Sequence, residues 1–380
     1  MPGKNFFSAI AMLAGTIVGA GIFALPYTAA KSGLVATIFY LIFLTAVVVL
    51  IHLLYGEVVF RTNGQHRLVG YANIYLGKWG KRLSTISVMA GSYAALLVYL
   101  ILGGKFLFII FSNAFGGTEF VYTFVLFLVS AIFIALGFGM VSRLELALSV
   151  VLLLAIFIFL FKGSFLIDPS NFSLMVNWQE IFLPYGVILF AFGGVSIIPE
   201  MVKILKGEEL KLKRAIICGT LIPAVIYFFF IIVVLGVSGA QTSEAAIVGL
   251  EPFLGRGVTI LGAVIGFLAI ITSYIAYGVN FKRTFQYDYN LSRFASFFLA
   301  VCAPFVLFSA GLDNFIRIIS FTGAVMSGID GILIILMYRV ADRGGKGDRK
   351  PEYDIITSKW LEYLLIAIFI AGIVYTILNP

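Results

Sequence analysis

The feature that most constrains this chain is a series of apolar runs, each long enough to cross a bilayer. They fall at about 6–30, 34–60, 83–112, 119–138, 142–161, 180–205, 214–238, 257–281, 293–311, 314–338 and 359–378. A crossing helix needs about 20 predominantly apolar residues, and hardly a polar residue intervenes between Leu34 and Leu54. Barrel strands would be about ten residues long with alternating polarity, which these runs are not. The expectation is an all-α polytopic membrane protein with eleven transmembrane helices. Composition agrees: 61% of the 380 residues are hydrophobic and 12% charged, against roughly 25% charged in a soluble domain. The first run, Phe6 to Ala30, is too long for a signal-peptide core and reads as an uncleaved crossing.

The net charge of +8 does not indicate a nucleic-acid partner, because Lys and Arg sit in short tracts between apolar runs. Basic residues concentrate in cytoplasmic connections. With a cytoplasmic N-terminus, 21 of the 26 fall inside, four (Lys31, Lys162, Arg256 and Arg317) fall outside, and Lys105 lies within the third run. That asymmetry sets the orientation as N-in and C-out. Cys218 and Cys302 lie in apolar runs and offer neither a disulfide framework nor a metal cluster.

Two runs are interrupted in the same way. The first contains Gly15-Thr16-Ile17-Val18-Gly19-Ala20-Gly21-Ile22-Phe23-Ala24-Leu25-Pro26, the sixth Phe190-Ala191-Phe192-Gly193-Gly194-Val195-Ser196-Ile197-Ile198-Pro199. Glycine costs about 1 kcal/mol and proline about 3 kcal/mol in a helix interior relative to Ala, so a straight helix is disfavoured at both. Gly21 precedes Pro26 by the same interval as Gly194 precedes Pro199. Five crossings separate the two copies, so they run in opposite directions, the pattern of an inverted repeat. Interrupted segments at matching positions of two halves point to a transporter binding site, since non-helical backbone at membrane depth must be buried or line a cavity. Close helix packing through glycine is the competing explanation. Gly19-Ala20-Gly21 is no dinucleotide fingerprint, lacking a preceding strand and a third glycine.

At these residues the chain resembles the amino acid–polyamine–organocation superfamily, and within it the amino acid/auxin permease branch, which includes bacterial aromatic amino acid permeases and sodium-coupled neutral amino acid transporters. The resemblance is carried by GTIVGAGIFALPY, by FAFGGVSIIPE, and by YGEVVFRTNGQHRLVGYANIYLGKWGKRL at the end of the second run and in the first cytoplasmic loop. It implies a LeuT-type fold of five plus five inverted helices: residues 1–162 as the first repeat, 163–338 as the second, and 339–380 as a loop and eleventh helix. It implies secondary active transport of a neutral amino acid by a monomer in a cell membrane, with the inner membrane of a prokaryote expected. By resemblance, the N–H groups of Ala20 and Gly21 hold the substrate carboxylate, and carbonyls near Ile17 and in Phe192-Gly193-Gly194 take its ammonium. Thr16 can add a hydroxyl, and Phe190 matches the position where related transporters place an aromatic gate, with plain packing among the 38 phenylalanines as the alternative. Tyr93, Tyr99, Tyr274 and Tyr277 are further candidates to line the cavity.

For the coupling ion, the resemblance implies sodium held by carbonyls of Ala14, Ile17 and Ala269 and hydroxyls of Thr272 and Ser273, with helical back-bonding of the hydroxyls as the alternative. Proton coupling is the other reading. Proton-coupled relatives place a lysine in the fifth helix, which here has Arg143 and Glu145 at its mouth and no interior lysine. Ionisable residues within spans are functional suspects: Glu57, paired at i, i+4 with Arg61, for an inner gate or anchor; Glu200, for closing the inner path with a basic partner; Asp330, as the proton site should sodium be wrong; and Lys105, which can snorkel outward. A channel or membrane sensor is the reading from another class, but a polar stripe or soluble domain is missing. His52 and His66 form no catalytic cluster, so an enzyme is not expected.

Overall fold

The computed structural model describes residues 4–64, 66–136, 154, 156–158, 160–206, 208–287, 289–343, 355 and 357–379. Among these the protein is helical, without a sheet. The first predicted run is a bent pair, α1 (Lys4–Ile17) and α2 (Leu25–Ser32), joined through a 3₁₀ turn at Ala20–Ala24. Then follow α3 (Leu34–Phe60), α4 (Leu68–Phe115) and α5 (Glu119–Leu136). The sixth run is α6 (Leu183–Ala191) and α7 (Ile198–Ile204), and α8 (Leu212–Ser238), α9 (Arg256–Tyr287) and α10 (Arg293–Ser309) succeed it. The tenth run is α11 (Phe315–Phe321), a π-helical segment at Thr322–Ser327 and α12 (Gly328–Arg343), and α13 (Lys359–Leu378) closes the chain.

Among the described residues, eight helices are long and apolar enough to cross a membrane, and nine when the bent pair counts as one span, while Arg293–Ser309 is a shorter apolar helix. The fifth predicted span, with Arg143 and Glu145, lies largely outside the described residues. The connection between the second and third runs differs from expectation. Instead of a loop up to about residue 82, the chain is helical from Leu68 and folds back at Gly77, whose φ of 69° suits glycine. Beyond Gly77, α4 rises about 57 Å at 1.5 Å per residue, longer than the hydrocarbon core of about 30 Å, so it runs tilted or projects. It is the central post of the fold, packed on α5, α9, α10 and α12.

Packing at the two faces brackets the centre. On the face where α3 ends, fully buried Glu57 accepts from Arg61 (2.7 and 2.9 Å) and from the backbone N–H of Ile355 (3.0 Å), while Arg61 also reaches Asp342 at 2.8 Å. Buried Glu362 accepts from Thr357 (2.7 Å) and pairs with Arg339 (3.2 Å). These buried charges, each with a partner as burial requires, tie α3, α12 and α13 together. On the opposite face the loop before α6 is pinned to the α2–α3 corner by Leu34 N–H to Ser173 carbonyl (3.2 Å) and Asn177 N–H to Ser32 carbonyl (3.1 Å). In that loop, Asp168 accepts from the Ser170 N–H and hydroxyl, which hold its carboxyl below the usual range.

Candidate functional site

Both interruptions use one local grammar. In the first, α1 ends as Val18 N–H bonds to Ala14 carbonyl (2.9 Å) and Gly19, at φ −125° and ψ −148°, turns its N–H back to Ile17 carbonyl (2.8 Å). Pro26 then stands in the first turn of α2. In the second, Phe192 N–H closes α6 on Ile188 carbonyl (3.0 Å) and Gly193 N–H bonds to Phe190 carbonyl (3.0 Å). A 3₁₀ turn at Val195–Ile197 follows, with Pro199 in the first turn of α7. The shared glycine-to-proline interval now has a cause: glycine lets the backbone leave the helix, and proline restarts it where its missing N–H costs nothing.

The two breaks meet. A Cβ on Gly21 would lie 2.7 Å from the Ala191 Cα, so the first break rests on the second backbone to backbone. A Cβ on Gly194 would meet Leu13 (2.9 Å), Ile17 (3.0 Å) and His52 (3.2 Å). Between them sits Tyr227 of α8, fully buried, its hydroxyl 2.6 Å from the Ile17 carbonyl and 2.8 Å from the Ala191 carbonyl. Its ring stands edge-on to Phe192 at 5.3 Å. Ile17 and Ala191 end α1 and α6, where helix carbonyls carry partial negative charge. A group donating protons, a hydroxyl or an ammonium, is favoured there. Ala20 and Gly21 begin the next turn, where N–H groups have no intrahelical acceptor. Of the expected substrate set, Ile17, Gly21, Phe192 and Gly194 thus lie where the two breaks meet, with the carbonyl ends of α1 and α6 and the N–H start at Ala20 and Gly21 close together.

Exposure around the two breaks is uneven. Thr16, Gly193 and Ser196 are exposed, whereas Ala20 to Ala24 are buried. On the buried side Phe23 packs edge-on against Phe106 (5.3 Å) and Phe230 (6.3 Å). Lys105, beside Phe106, pairs with Glu244 of the α8–α9 connection at 3.5 Å. Phe190 is half-buried, and the Tyr99 hydroxyl lies 3.9 Å from the Cβ position of Gly19. The Thr16 hydroxyl bonds to the Met12 carbonyl of its own helix (2.8 Å). Of the other tyrosines, Tyr93 stacks edge-on against Phe281 (5.0 Å), Tyr277 meets Ser92 (3.4 Å), and the Tyr274 hydroxyl is buried without a partner among the described residues.

The atoms of the expected ion set sit on two elements with different neighbours. Ala14 and Ile17 belong to α1, which packs on α8 and α7, while Ala269, Thr272 and Ser273 belong to α9, packed mainly on α4, α10 and α5. The Thr272 hydroxyl bonds to the Leu268 (3.1 Å) and Ala269 (3.0 Å) carbonyls of its own helix. Glu200 pairs at 3.1 Å with Lys203 of α7, both half-exposed. Asp330, just after the π-helical segment, has a buried Oδ1 without a hydrogen-bond partner among the described residues, and the buried Tyr55 hydroxyl likewise has none. That π-helical segment packs against α6, where a Cβ on Gly323 would overlap the Gly186 carbonyl. Such segments are frequent at functional sites.

Sequence reasoning missed Tyr227. Its signal was a hydroxyl at the middle of the seventh run, flanked by Ile226 and Phe228. Tyrosine gathers at membrane interfaces, and a polar atom at mid-depth needs a partner inside the protein. Phe23 and Phe106 carried no signal, because aromatic residues recur along every apolar run.

Comparison with known proteins bears on this arrangement. The model of the tryptophan/tyrosine permease family matches residues 3–377. Tyrosine-specific transport system 2 of Haemophilus influenzae is 28% identical over 346 residues, covering 84% of each chain. Tyrosine-specific transport system 1 of the same organism is 24% identical over 345 residues, 83% of each. Glutamine transporter 2 of Aliivibrio fischeri is 22% identical over 339 residues, 85% of each. Among solved structures, MhsT in complex with L-phenylalanine superposes with a TM-score of 0.64 at 15% identity, over 100% of this chain and 97% of that one. At that identity the likeness speaks for the fold alone, which is the LeuT type.

Proposed function

This chain belongs to the tryptophan/tyrosine permease family, and on that premise we propose that it carries a neutral aromatic amino acid across the cell membrane by sodium-coupled symport and alternating access. It is a multi-pass membrane transporter of the amino acid permease class and not an enzyme, as its transporter relatives show. Placement in the amino acid/auxin permease branch, and the division into repeats at 1–162 and 163–338, belong to the proposal.

The observation that carries the reading is the meeting of the two breaks at Gly21, Ala191 and Tyr227. A zwitterion needs acceptors for its ammonium and donors for its carboxylate, and half-helix ends supply both without a full charge at membrane depth. Neither break holds an ionisable side chain, which favours a substrate with a neutral side chain. The names of two relatives specify tyrosine, which supports an aromatic one. The exposure of Thr16, Gly193 and Ser196 supports a path on the side of α1 and α7, the cytoplasmic side by the distribution of basic residues, and the packing of Phe23, Phe106 and Phe230 supports closure of the other.

Sodium is assigned to the carbonyls of Ala14, Ile17 and Ala269 and the hydroxyls of Thr272 and Ser273, oxygen ligands suited to a hard cation. Proton coupling is the second reading, favoured by the unpartnered buried Oδ1 of Asp330. Proteoliposome uptake of labelled tyrosine, tryptophan, phenylalanine and glutamine, driven separately by a sodium and a pH gradient, tests both. Uptake of the aromatic substrates that follows sodium is the expected result. Uptake that follows pH and ignores sodium replaces the first coupling with the second, and transport of none of these overturns the function.

A further inference from the structure

The geometry points to Tyr227 as a positioning residue for the substrate ammonium, its one hydroxyl proton holding the carbonyl ends of both broken helices as a single acceptor pair. The assignment rests on the transport reading above. A phenol has one proton to donate, yet its oxygen lies 2.6 Å from the Ile17 carbonyl and 2.8 Å from that of Ala191. It therefore shares that proton between them, in a three-centre bond or by turning from one to the other. Without that donor, two carbonyl oxygens at the negative ends of α1 and α6 would converge in a fully buried place, an arrangement that repels itself. Because the Ile17 carbonyl also accepts the Gly19 N–H at 2.8 Å, the proton can turn to Ala191 without stranding Ile17.

The surroundings fix the hydroxyl. The ring is fully buried and braced by Phe192, α8 packs along both α1 and α2, and Gly21 against Ala191 leaves the breaks no room to slide. Through these two bonds Tyr227 sets the peptide planes leading into Val18–Gly19 and into Phe192–Gly193, the exits from the two half-helices. The carboxylate donors, Ala20 and Gly21, lie on the other side of the bend and take no bond from Tyr227. Its influence on a bound amino acid is accordingly directed at the ammonium.

The test compares wild type with Tyr227→Phe, which removes one oxygen and keeps the ring. Competition against labelled tyrosine uptake is measured with unlabelled tyrosine and with 3-(4-hydroxyphenyl)propionate, which has the carboxylate and ring but no ammonium. In the variant, tyrosine is expected to weaken by about tenfold or more, the scale of one charge-assisted hydrogen bond. The des-amino acid is expected to shift less than about twofold. Equal weakening of both compounds would reveal a merely structural tyrosine and overturn the assignment, as would no change in either. Should the phenylalanine variant fail to accumulate, 3,5-difluorotyrosine at position 227 keeps the hydroxyl and strengthens it as a donor. An altered ratio between the two competitors is then expected, and an unaltered ratio overturns the assignment. Wild-type protein that transports none of the amino acids overturns the transport reading itself, and is seen before any variant is made.

Discussion

The two breaks share one glycine-to-proline interval, yet they are held differently. The first bends its span by 45°, and its 3₁₀ turn is wholly buried. The second leaves its span counted as a single 22-residue apolar segment, with Gly193 and Ser196 exposed. Gly21 faces the backbone of Ala191, whereas Gly194 faces the side chains of Leu13, Ile17 and His52. Backbone cannot give way and side-chain ends can, so the first break is the rigid wall of the site and the second its accessible face. Substitutions at equivalent glycines should therefore differ in severity.

The largest effect is expected at Gly21→Val. Its Cβ would lie 2.7 Å from the Ala191 Cα before the γ-methyls are counted, and overpacking of this kind costs about 1–3 kcal/mol or more. Transport normalised to protein in the membrane should fall about 100-fold, near the 3 kcal/mol end of that range at 1.4 kcal/mol per tenfold. Retained uptake would show that the breaks can separate, and that the contact is only packing.

How much of this contrast was legible beforehand follows from what each residue does. The span limits were legible because burial in lipid demands unbroken apolar length, and α3 and α13 match the predicted 34–60 and 359–378 to the residue. Both breaks were legible because glycine and proline act locally. Which break is the rigid one was not, because Ala191 and Tyr227 meet Gly21 and Ile17 across 170 and 210 positions of chain. The helix at Leu68–Leu76 was hidden by the basic residues and glycines that surround it. The pairing of Lys105 with Glu244 was hidden by the length of chain between them.

On the second break, Gly194→Ala should lower apparent substrate affinity by about tenfold, roughly 1.4 kcal/mol. Its neighbours at 2.9 to 3.2 Å are side-chain atoms that must shift. Gly193→Ala, exposed and approached only by the Phe190 carbonyl at 3.1 Å, should change affinity by less than about threefold. Equilibrium binding of labelled substrate to detergent-purified protein ranks the three glycines. A Gly193 effect as large as that of Gly21 would erase the distinction between wall and face.

Across from the wall, Thr272→Ala examines whether the first break also serves an ion. Loss of one oxygen ligand should raise the half-saturating sodium concentration about fivefold, near 1 kcal/mol, while uptake at saturating sodium changes little. Sodium titration of tyrosine uptake measures it. An unchanged half-saturation point would remove Thr272 from the ion set and leave its hydroxyl as the helical back-bond that the structure records.

The smallest effect is expected from Lys105→Ala, and it bears on what closes the outer side above the first break. Two devices coincide there: the Lys105–Glu244 pair at 3.5 Å, with side chains 24% and 34% exposed, and the buried rings of Phe23, Phe106 and Phe230. Part-exposed ion pairs contribute about 0–1 kcal/mol, while truncating a buried aromatic costs about 3–5 kcal/mol. If the rings form the closure, Lys105→Ala should change the uptake rate by less than about threefold, with the remainder lost at high salt. Phe106→Ala should then make a cysteine placed at Ala20 accessible to a membrane-impermeant thiol reagent added outside, in a background with Cys218 and Cys302 replaced. Labelling after loss of Lys105 but not of Phe106 would invert the assignment, making charge the latch and the aromatic cluster its support.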